Sequence, residues 1–328
     1  MAKIAFFDAR NDEKTILEEL QEEIKFEIVS IPEKLSAETA YLAEGTLAVS
    51  VAGNNIVNHD ALLSLSQIGI KYLSVRSAGY NNIDIDAARK YGIRISNVSY
   101  SPNSVADYTV MLILMSIRKI KQIILRNNIQ DYTLTGLQGK EMKNLTVGII
   151  GSGKIGEIVA KNLSGFGSKI IAYDLFPKDS LSEFIEYVSL DELLTKSDVI
   201  TLHLPLDKKS HHLINKETIN KMKDGVIIIN CGRGQLIDTD ALVEGIESGK
   251  VGAIGLDVIE NELDIFHKDH RCNILTNRQL SVLRAFPNAI ISPHASFYTD
   301  QAVRDMVDIS LKSLISFINS NHSPWELS

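Results

Sequence analysis

The chain has 328 residues, enough for two domains that each bury a core. Hydrophobic residues make up 45% and charged residues 23%, and no uninterrupted apolar run approaches the ~20 residues of a membrane span, so a membrane partner is not expected. The formal net charge of −7 argues against nucleic acid as the main partner, and two cysteines, Cys231 and Cys272, cannot make a disulfide framework and fit a reducing cytoplasm.

Strand-like runs alternate with helical patterns almost throughout, the signature of an α/β protein with parallel sheets. The apolar stretch 4–7, stopped by Asp8, is too short for a signal peptide and predicts a first strand. Further strands are expected over 27–30, 47–51, 72–75 and 93–96, with helices such as 12–23 and 85–90 between them. Residues 102–118 follow, strongly apolar from Val105 to Ile117. Asp107 and Arg118 bracket that stretch, and it reads as a buried helix crossing between domains or forming a subunit contact. A second strand series starts at Thr146 and continues over 170–173, 199–204, 226–230, 253–258 and 290–292. Ser189 with Glu192 forms a capping-box pattern that opens a short helix. Residues 261–284 are rich in charge and read as a long loop with a helix near 278–283. A long amphipathic helix is expected over 300–318.

The second series opens with the most specific motif in the chain. Residues 147–156 read VGIIGSGKIG, with Lys154 and Ile155 inside the run, and Asp174 follows at the end of the next apolar stretch. Gly151 allows the tight turn out of the strand. Gly153 lets the backbone approach a pyrophosphate, and Gly156 lets the next helix, over 155–163, pack closely on the strand. That helix aims its N-terminal N–H groups and dipole at the phosphates. Asp174 can accept the ribose hydroxyl hydrogens and would repel a 2′-phosphate, so the cofactor expected is NAD rather than NADP. This dinucleotide unit starts nearly halfway along the chain. The N-terminal α/β unit is therefore expected to be a separate domain, with the active site in the cleft between the two.

Three further elements sit at the C-terminal ends of expected strands. Arg233, between Gly232 and Gly234, can hold a carboxylate by paired hydrogen bonds, or it is a solvated loop arginine. Asp257, Glu260 and Glu262 are acids at or after a strand end, open also to the reading of an acidic surface turn. His294, after Pro293, is in a position suited to a general acid/base, and a structural histidine is the alternative. His267, His270 and Cys272 lack a fourth ligand at a known spacing, so no metal is expected. His211-His212 reads as a surface turn.

These segments together carry a resemblance. The stretches SVRSAGYNNIDIDAARKYGI, SPNSVADYT, VGIIGSGKIG, SDVITLHLPL, NCGRGQLIDTDAL, GLDVIENE and SPHASFYT resemble the D-isomer-specific 2-hydroxyacid dehydrogenases over nearly the whole chain. The likeness is greatest to the D-lactate dehydrogenase branch, which includes the lactate-producing enzyme of glycopeptide resistance. The resemblance implies a Rossmann-type NAD-binding domain over 100–298, inserted in a flavodoxin-like substrate domain made of 1–99 and 299–328. It implies a cytoplasmic homodimer joined through the cofactor domain, with the 105–117 helix as candidate contact. It implies that Arg233 binds the substrate carboxylate and polarises the keto oxygen. His294 is then the acid/base and Glu262, rather than Glu260, its partner. Asp257 lies near the nicotinamide, and His203, Pro205 and Cys231 line the cofactor. Ser77, Ala78 and Gly79 form a loop whose N–H groups help hold the carboxylate, and Tyr100 and Phe297 border the substrate side chain. Cys231 stands where many relatives carry serine, threonine or alanine, and it reads as packing or as a site of alkylation sensitivity. The implied reaction is reduction of a small 2-keto acid to a 2-hydroxy acid, with pyruvate to D-lactate as first choice and 2-ketoisocaproate, phenylpyruvate or 2-oxoglutarate as alternatives. A non-catalytic NAD sensor, as in a corepressor family of the same fold, is the competing class.

Overall fold

The computed structural model describes residues 3–263 and 265–327; Asp264, within the expected 261–284 loop, lies outside the described residues. The chain forms two compact units, one from residues 1–101 with 298–328 and the other from 102–297.

The first unit is a five-stranded parallel sheet in the order β2-β1-β3-β4-β5. Its strands are β1 (Lys3–Phe7), β2 (Glu27–Ile31), β3 (Ala48–Ala52), β4 (Tyr72–Arg76) and β5 (Arg94–Ser96), and its helices are α1 (Asn11–Glu23), α2 (His59–Gln67), α3 (Ile85–Lys90) and a C-terminal helix, Asp300–Ser320. This is a flavodoxin-like strand order. Alternation along β1 sorts the core into two faces. Ala5 and Phe7 pack with Val49, Val51, Leu73 and Val75 toward Leu62 and Leu65 of α2. Ile4 and Phe6 face Leu17 and Leu20 of α1 and Val307, Leu311 and Leu314 of the C-terminal helix.

Two polar devices tie this unit together. At the end of β4 the buried Arg76 guanidinium pairs with the equally buried Glu13 of α1 at 3.0 Å. It also donates to Ser50 Oγ (3.0 Å) and to the Phe7 carbonyl (2.8 Å), which joins three strands to one helix. At the sheet edge, Ser96 forms an antiparallel bridge with Glu326. Leu327 N–H donates to the Ile95 carbonyl at 2.9 Å, and Arg94 Nε donates to Glu326 at 2.6 Å.

The second unit is a seven-stranded parallel sheet in the order β12-β11-β10-β9-β6-β7-β8. Its elements are α4 (Asn103–Ile117), α5 (Ile120–Asn127), β6 (Thr146–Ile150), α6 (Lys154–Ser164), β7 (Lys169–Tyr173), β8 (Glu186–Tyr187), α7 (Leu190–Lys196), β9 (Val199–Leu202), α8 (Lys216–Lys221), β10 (Val226–Asn230), α9 (Thr239–Glu247), β11 (Val251–Leu256), α10 (Arg278–Ala285) and β12 (Ala289–Ile291). Strand order reverses between β6 and β9, which makes their C-terminal ends the switch point where ligands of this fold bind. Buried β-branched runs such as Val226-Ile227-Ile228-Ile229 explain why the sheet is legible as continuous apolar segments.

The 105–117 helix is the expected buried helix: α4 buries Val105, Ala106, Val110, Leu112, Ile113 and Ile117, and it packs on α6, β10 and β11 of its own unit. Exposed apolar side chains lie at Met111 of α4 and on and just after α5, at Ile123, Ile124, Leu125, Ile129, Tyr132 and Leu134. Two expectations need correction. The capping pattern at Ser189 has one working arm. Its hydroxyl takes the Glu192 N–H at 3.2 Å, while the Glu192 carboxylate turns to Lys196. His212 is more than a surface turn, because its ring is tied to Glu260 at 2.7 Å.

Candidate active site

The turn between β6 and α6 is built by sterics. Gly151 has φ +97°, and a Cβ there would lie 2.7 Å from the His203 carbonyl oxygen. A Cβ on Gly156 would lie 2.0 Å from the Gly151 carbonyl oxygen, so the helix can cross the turn only as glycine. Gly153 is different. A Cβ there would meet nothing within 4 Å, so packing inside the protein does not explain its lack of a side chain. Gly153 is also the N-cap of α6 and offers no side-chain oxygen to the first helical N–H groups, which begin at Lys154 and Ile155. Open space and a helix terminus without a side-chain cap fit a bound pyrophosphate.

Asp174, at the end of β7, is held in place. Ser152 N–H and Oγ donate to Oδ2 at 2.6 and 3.0 Å, and Phe176 N–H donates to Oδ1 at 2.9 Å. Burial alone would raise this carboxyl, but those donors and the nearby Lys178 ammonium outweigh it and hold the group below the ordinary carboxylate range. Tyr187 supports the arrangement by donating to Ser152 Oγ at 2.9 Å. Its two-residue strand carries no apolar run that would have flagged it. Lys178, which the sequence reading passed over, pairs with Glu157 at 3.0 Å.

Across the switch point, His203 N–H continues the sheet to the Ile150 carbonyl (2.8 Å), and its ring lies 3.0 Å from Thr201 Oγ1. Burial pushes its imidazole down to about 4, so it stands neutral at physiological pH. Pro205 is exposed one turn further on and accepts from Ser210 Oγ at 2.7 Å. Cys231 is buried, and desolvation, helped by the Asp257 charge, pushes its thiol up to about 12. It is a packing residue, and alkylation sensitivity is not supported.

The loops after β10, β11 and β12 come together. Asn230 brackets the arginine turn: its Nδ2 donates to the Arg233 carbonyl (2.8 Å) and its Oδ1 accepts Gly232 N–H (2.9 Å). Arg233 is partly buried and spends one N–H on the Gly232 carbonyl (2.7 Å). Gly234 lies flush against the next loop, where a Cβ would fall 2.1 Å from the Ile259 carbonyl. From that loop, Ile259 N–H donates to Glu262 Oε2 (2.9 Å), and Glu262 Oε1 lies 2.6 Å from His294 Nδ1. Glu262 is therefore the acid that meets the histidine, whereas Glu260 takes His212 and Thr239.

His294 has φ +52°, a left-handed conformation that costs a side-chain-bearing residue ~1 kcal/mol or more. Asp257 holds it there. The buried carboxylate accepts Ser292 Oγ (2.7 Å), Ala295 N–H (2.8 Å) and Ser296 N–H (2.8 Å), and its own carbonyl accepts His294 N–H (2.8 Å). Tyr108 of α4, unnoticed in the sequence, hydrogen-bonds Ser292 from behind, and burial raises its phenol. Phe297 stands edge-on to His294 at 6.2 Å between ring centroids, and His267 completes a triangle at 6.2 and 6.3 Å. His267 and His270 each reach a backbone carbonyl, at His294 and Ile265, and among the described residues no three His, Cys, Asp or Glu groups cluster to hold a metal ion.

In the first unit, the 77–79 loop follows β4. Ser77 Oγ donates to the Gly79 carbonyl (2.5 Å) and Asn97 Nδ2 to the Ala78 carbonyl (2.8 Å). The N–H groups of Ala78 and Gly79 have no partner among the described residues. Gly53 lies so close that a Cβ would fall 2.6 Å from Ser77 Cβ. Tyr100, in the segment that follows β5 in the chain, is partly buried.

Known proteins share this sequence pattern and fold. Residues 110–296 match the family model described as D-isomer specific 2-hydroxyacid dehydrogenase, NAD binding domain. The chain is 45% identical over 317 residues, 96% of each chain, to an aromatic 2-oxoacid reductase of Clostridium sporogenes. It is 41% identical over 317 residues, 97% of each, to a D-specific alpha-keto acid dehydrogenase of Enterococcus faecalis. A solved D-lactate dehydrogenase from Treponema pallidum superposes with a TM-score of 0.90 at 33% identity, covering 99% of each chain. The chain thus belongs to the D-isomer-specific 2-hydroxyacid dehydrogenases, NAD-dependent oxidoreductases of small 2-hydroxy and 2-oxo acids.

Proposed function

We propose that the chain reduces a 2-oxo acid to the D-2-hydroxy acid with His294 as proton donor, Glu262 as its partner and Arg233 as the substrate-binding cation. The 2.6 Å contact between Glu262 and His294 carries this reading. With Nδ1 donating to Glu262, Nε2 is the nitrogen that exchanges a proton with substrate. Bound NADH supplies the hydride that reaches the keto carbon. Negative charge then grows on the keto oxygen, where the Arg233 guanidinium stabilises it and His294 Nε2 delivers the proton. The imidazole is left neutral and regains its proton from solvent, while Glu262 keeps Nδ1 engaged and the ring in place.

Residues 102–297 serve as the NAD-binding domain in this reading, with Gly151, Gly153, Gly156 and Asp174 as its cofactor residues. The rest of the chain is the substrate domain. The available N–H groups of Ala78 and Gly79 support a carboxylate-holding role for the 77–79 loop. An aromatic 2-oxo acid is the preferred substrate. The 45% identity to an aromatic 2-oxoacid reductase supports it. Pyruvate is the second reading, supported by the D-lactate dehydrogenases among the relatives, such as that of Leuconostoc mesenteroides at 39% identity. The test is NADH oxidation with phenylpyruvate, 2-ketoisocaproate, 2-oxoglutarate and pyruvate, with NADPH in parallel and the product's handedness checked. A kcat/KM for phenylpyruvate about tenfold or more above pyruvate is expected, ~1.4 kcal/mol of transition-state discrimination. A dominant pyruvate rate would make the protein a D-lactate dehydrogenase. No turnover despite NADH binding would remove the catalytic reading.

A cytoplasmic homodimer completes the proposal. Two unpaired thiols support the compartment, and the exposed apolar side chains of α5 and residues 129–134 support a second copy as partner. A monomer at micromolar concentration in sedimentation would refute the dimer.

A further inference from the structure

The second unit holds another histidine–carboxylate pair, outside the reacting groups, and we infer that this pair, His212 and Glu260, positions Arg233 against Glu262. The inference rests on the proposed roles of Arg233, Glu262 and His294. Three loops meet at the pair. His212 Nε2 lies 2.7 Å from Glu260 Oε1, and Glu260 Oε2 accepts Thr239 Oγ1 (2.6 Å) and Thr239 N–H (3.0 Å). The His212 main chain is fixed to the arginine turn, since its N–H donates to the Gln235 carbonyl at 2.8 Å. Ile214 N–H donates to Leu236 and Asp238 N–H returns to Ile214, so residues 212–214 run beside 235–238 as a short bridge.

At the crossing next to this pair the arginine turn lies directly on the acid loop. Gly234 rests on the main chain of Ile259 and Glu260 with no room for a methyl group. Ile259 N–H in turn orients the Glu262 carboxylate that meets His294. A glycine lying on a carbonyl gives close approach but no lateral lock, because van der Waals contact resists compression and not sliding. The lock comes from the charged or polar side chains on either side of the seam. His212 holds the Arg233 side and Glu260 the Glu262 side, and Thr239 anchors Glu260 to the start of α9. His212 also stacks on His211 at 4.0 Å, which limits rotation of its ring. A slip at this seam would move the guanidinium relative to the imidazole while leaving the β6–α6 turn untouched.

The consequence is a specific kinetic pattern. His212→Ala should lower kcat for the oxo acid about tenfold and raise its KM, since misplacement of a binding group by about 1 Å costs up to ~10²-fold. The NADH dissociation constant should stay within about twofold of the parent. His212→Gln keeps a donor that can reach Glu260, and it should restore kcat to within about threefold. Thr239→Val, which removes the hydroxyl alone, should shift kcat and KM in the same direction as His212→Ala and serves if that variant fails to fold. Parent values of kcat and KM in His212→Ala or Thr239→Val would overturn the inference. So would a loss shared equally by NADH binding and unrescued by His212→Gln, because that describes general destabilisation. Arg233→Ala and His294→Ala are run alongside. If they retain turnover, the underlying reading has failed. If they are inactive while His212→Ala is normal, only the positioning role has failed.

Discussion

Gly153 and Gly156 invite the same substitution with opposite consequences. At Gly156 an alanine methyl would sit 2.0 Å from the Gly151 carbonyl oxygen, so about 1 Å or more must open between α6 and its own turn. Overpacking of that kind costs ~1–3 kcal/mol, which for a domain of this size lowers the melting temperature by about 2–12 °C. At Gly153 the methyl would meet nothing within 4 Å, and φ is −65°, which alanine adopts without strain. Gly153→Ala should therefore fold as well as the parent, or better by ~0.4–1 kcal/mol through a less flexible unfolded chain. The space it fills is the space assigned to the pyrophosphate, so NADH affinity should still fall about tenfold or more, a loss of ~1.4 kcal/mol. Thermal melting without ligand, together with a fluorescence titration of NADH, separates the two effects. A Gly153→Ala protein that binds NADH as tightly as the parent would show that the open space is not the phosphate cradle. A Gly156→Ala protein with unchanged melting would refute the steric reading of the turn.

His294→Ala should lower kcat by ~10²–10⁴-fold while leaving NADH binding intact, measured by steady-state turnover and titration; near-parent turnover would remove the proton-donor role. Asp257→Asn places an amide nitrogen against a backbone N–H of the 295–296 turn, costs ~1–3 kcal/mol and frees His294 from its left-handed conformation, so kcat and melting temperature should fall together. Iodoacetamide at neutral pH should label the exposed Cys272 and leave the buried Cys231 thiol untouched, with no loss of activity. His203 is held neutral, with its pKa pushed from the ordinary 6.5 down to about 4. Between those values the unfolded chain binds a proton that the folded chain refuses. Stability should therefore fall as pH drops from 6.5 toward 4, by up to ~3 kcal/mol, and denaturant titrations of His203→Gln should lose that part of the slope.

The parallel sheets and the cofactor turn were legible because buried strands write themselves as continuous β-branched runs and the turn needs glycine at fixed offsets. The sequence reading of 47–51 and 226–230 meets strands at Ala48–Ala52 and Val226–Asn230. Position 204 was read as strand, yet β9 ends at Leu202, because Leu204 continues the apolar run without continuing the ladder. Strand β8 was invisible: Glu186-Tyr187 has no hydrophobic signal, and its value lies in one hydroxyl placed on Ser152. The acids after β11 show a deeper limit. Asp257, Glu260 and Glu262 look alike in sequence, and burial gives each a different duty: one holds a loop, one meets His212, one meets His294. The positive φ of His294 could not have been read either, since only the Asp257 contacts make it tolerable. Helix α4 is legible as a buried helix because it is apolar nearly all round, the mark of a helix enclosed by its own domain.

Strand β5 is three residues long and outermost in its sheet, and its open side is occupied by the chain's own tail through Ser96, Ile95 and Arg94. An unpaired strand edge is a template for a strand of another molecule. Residues 325–327 therefore act as a seal against edge-to-edge aggregation, with Glu326 placing a charge where an intruding strand would have to lie. Removing them would take Leu327 from the core beside β5 and leave a row of backbone donors and acceptors facing solvent. Residues 325–327 thus bear on how this protein behaves in concentrated solution.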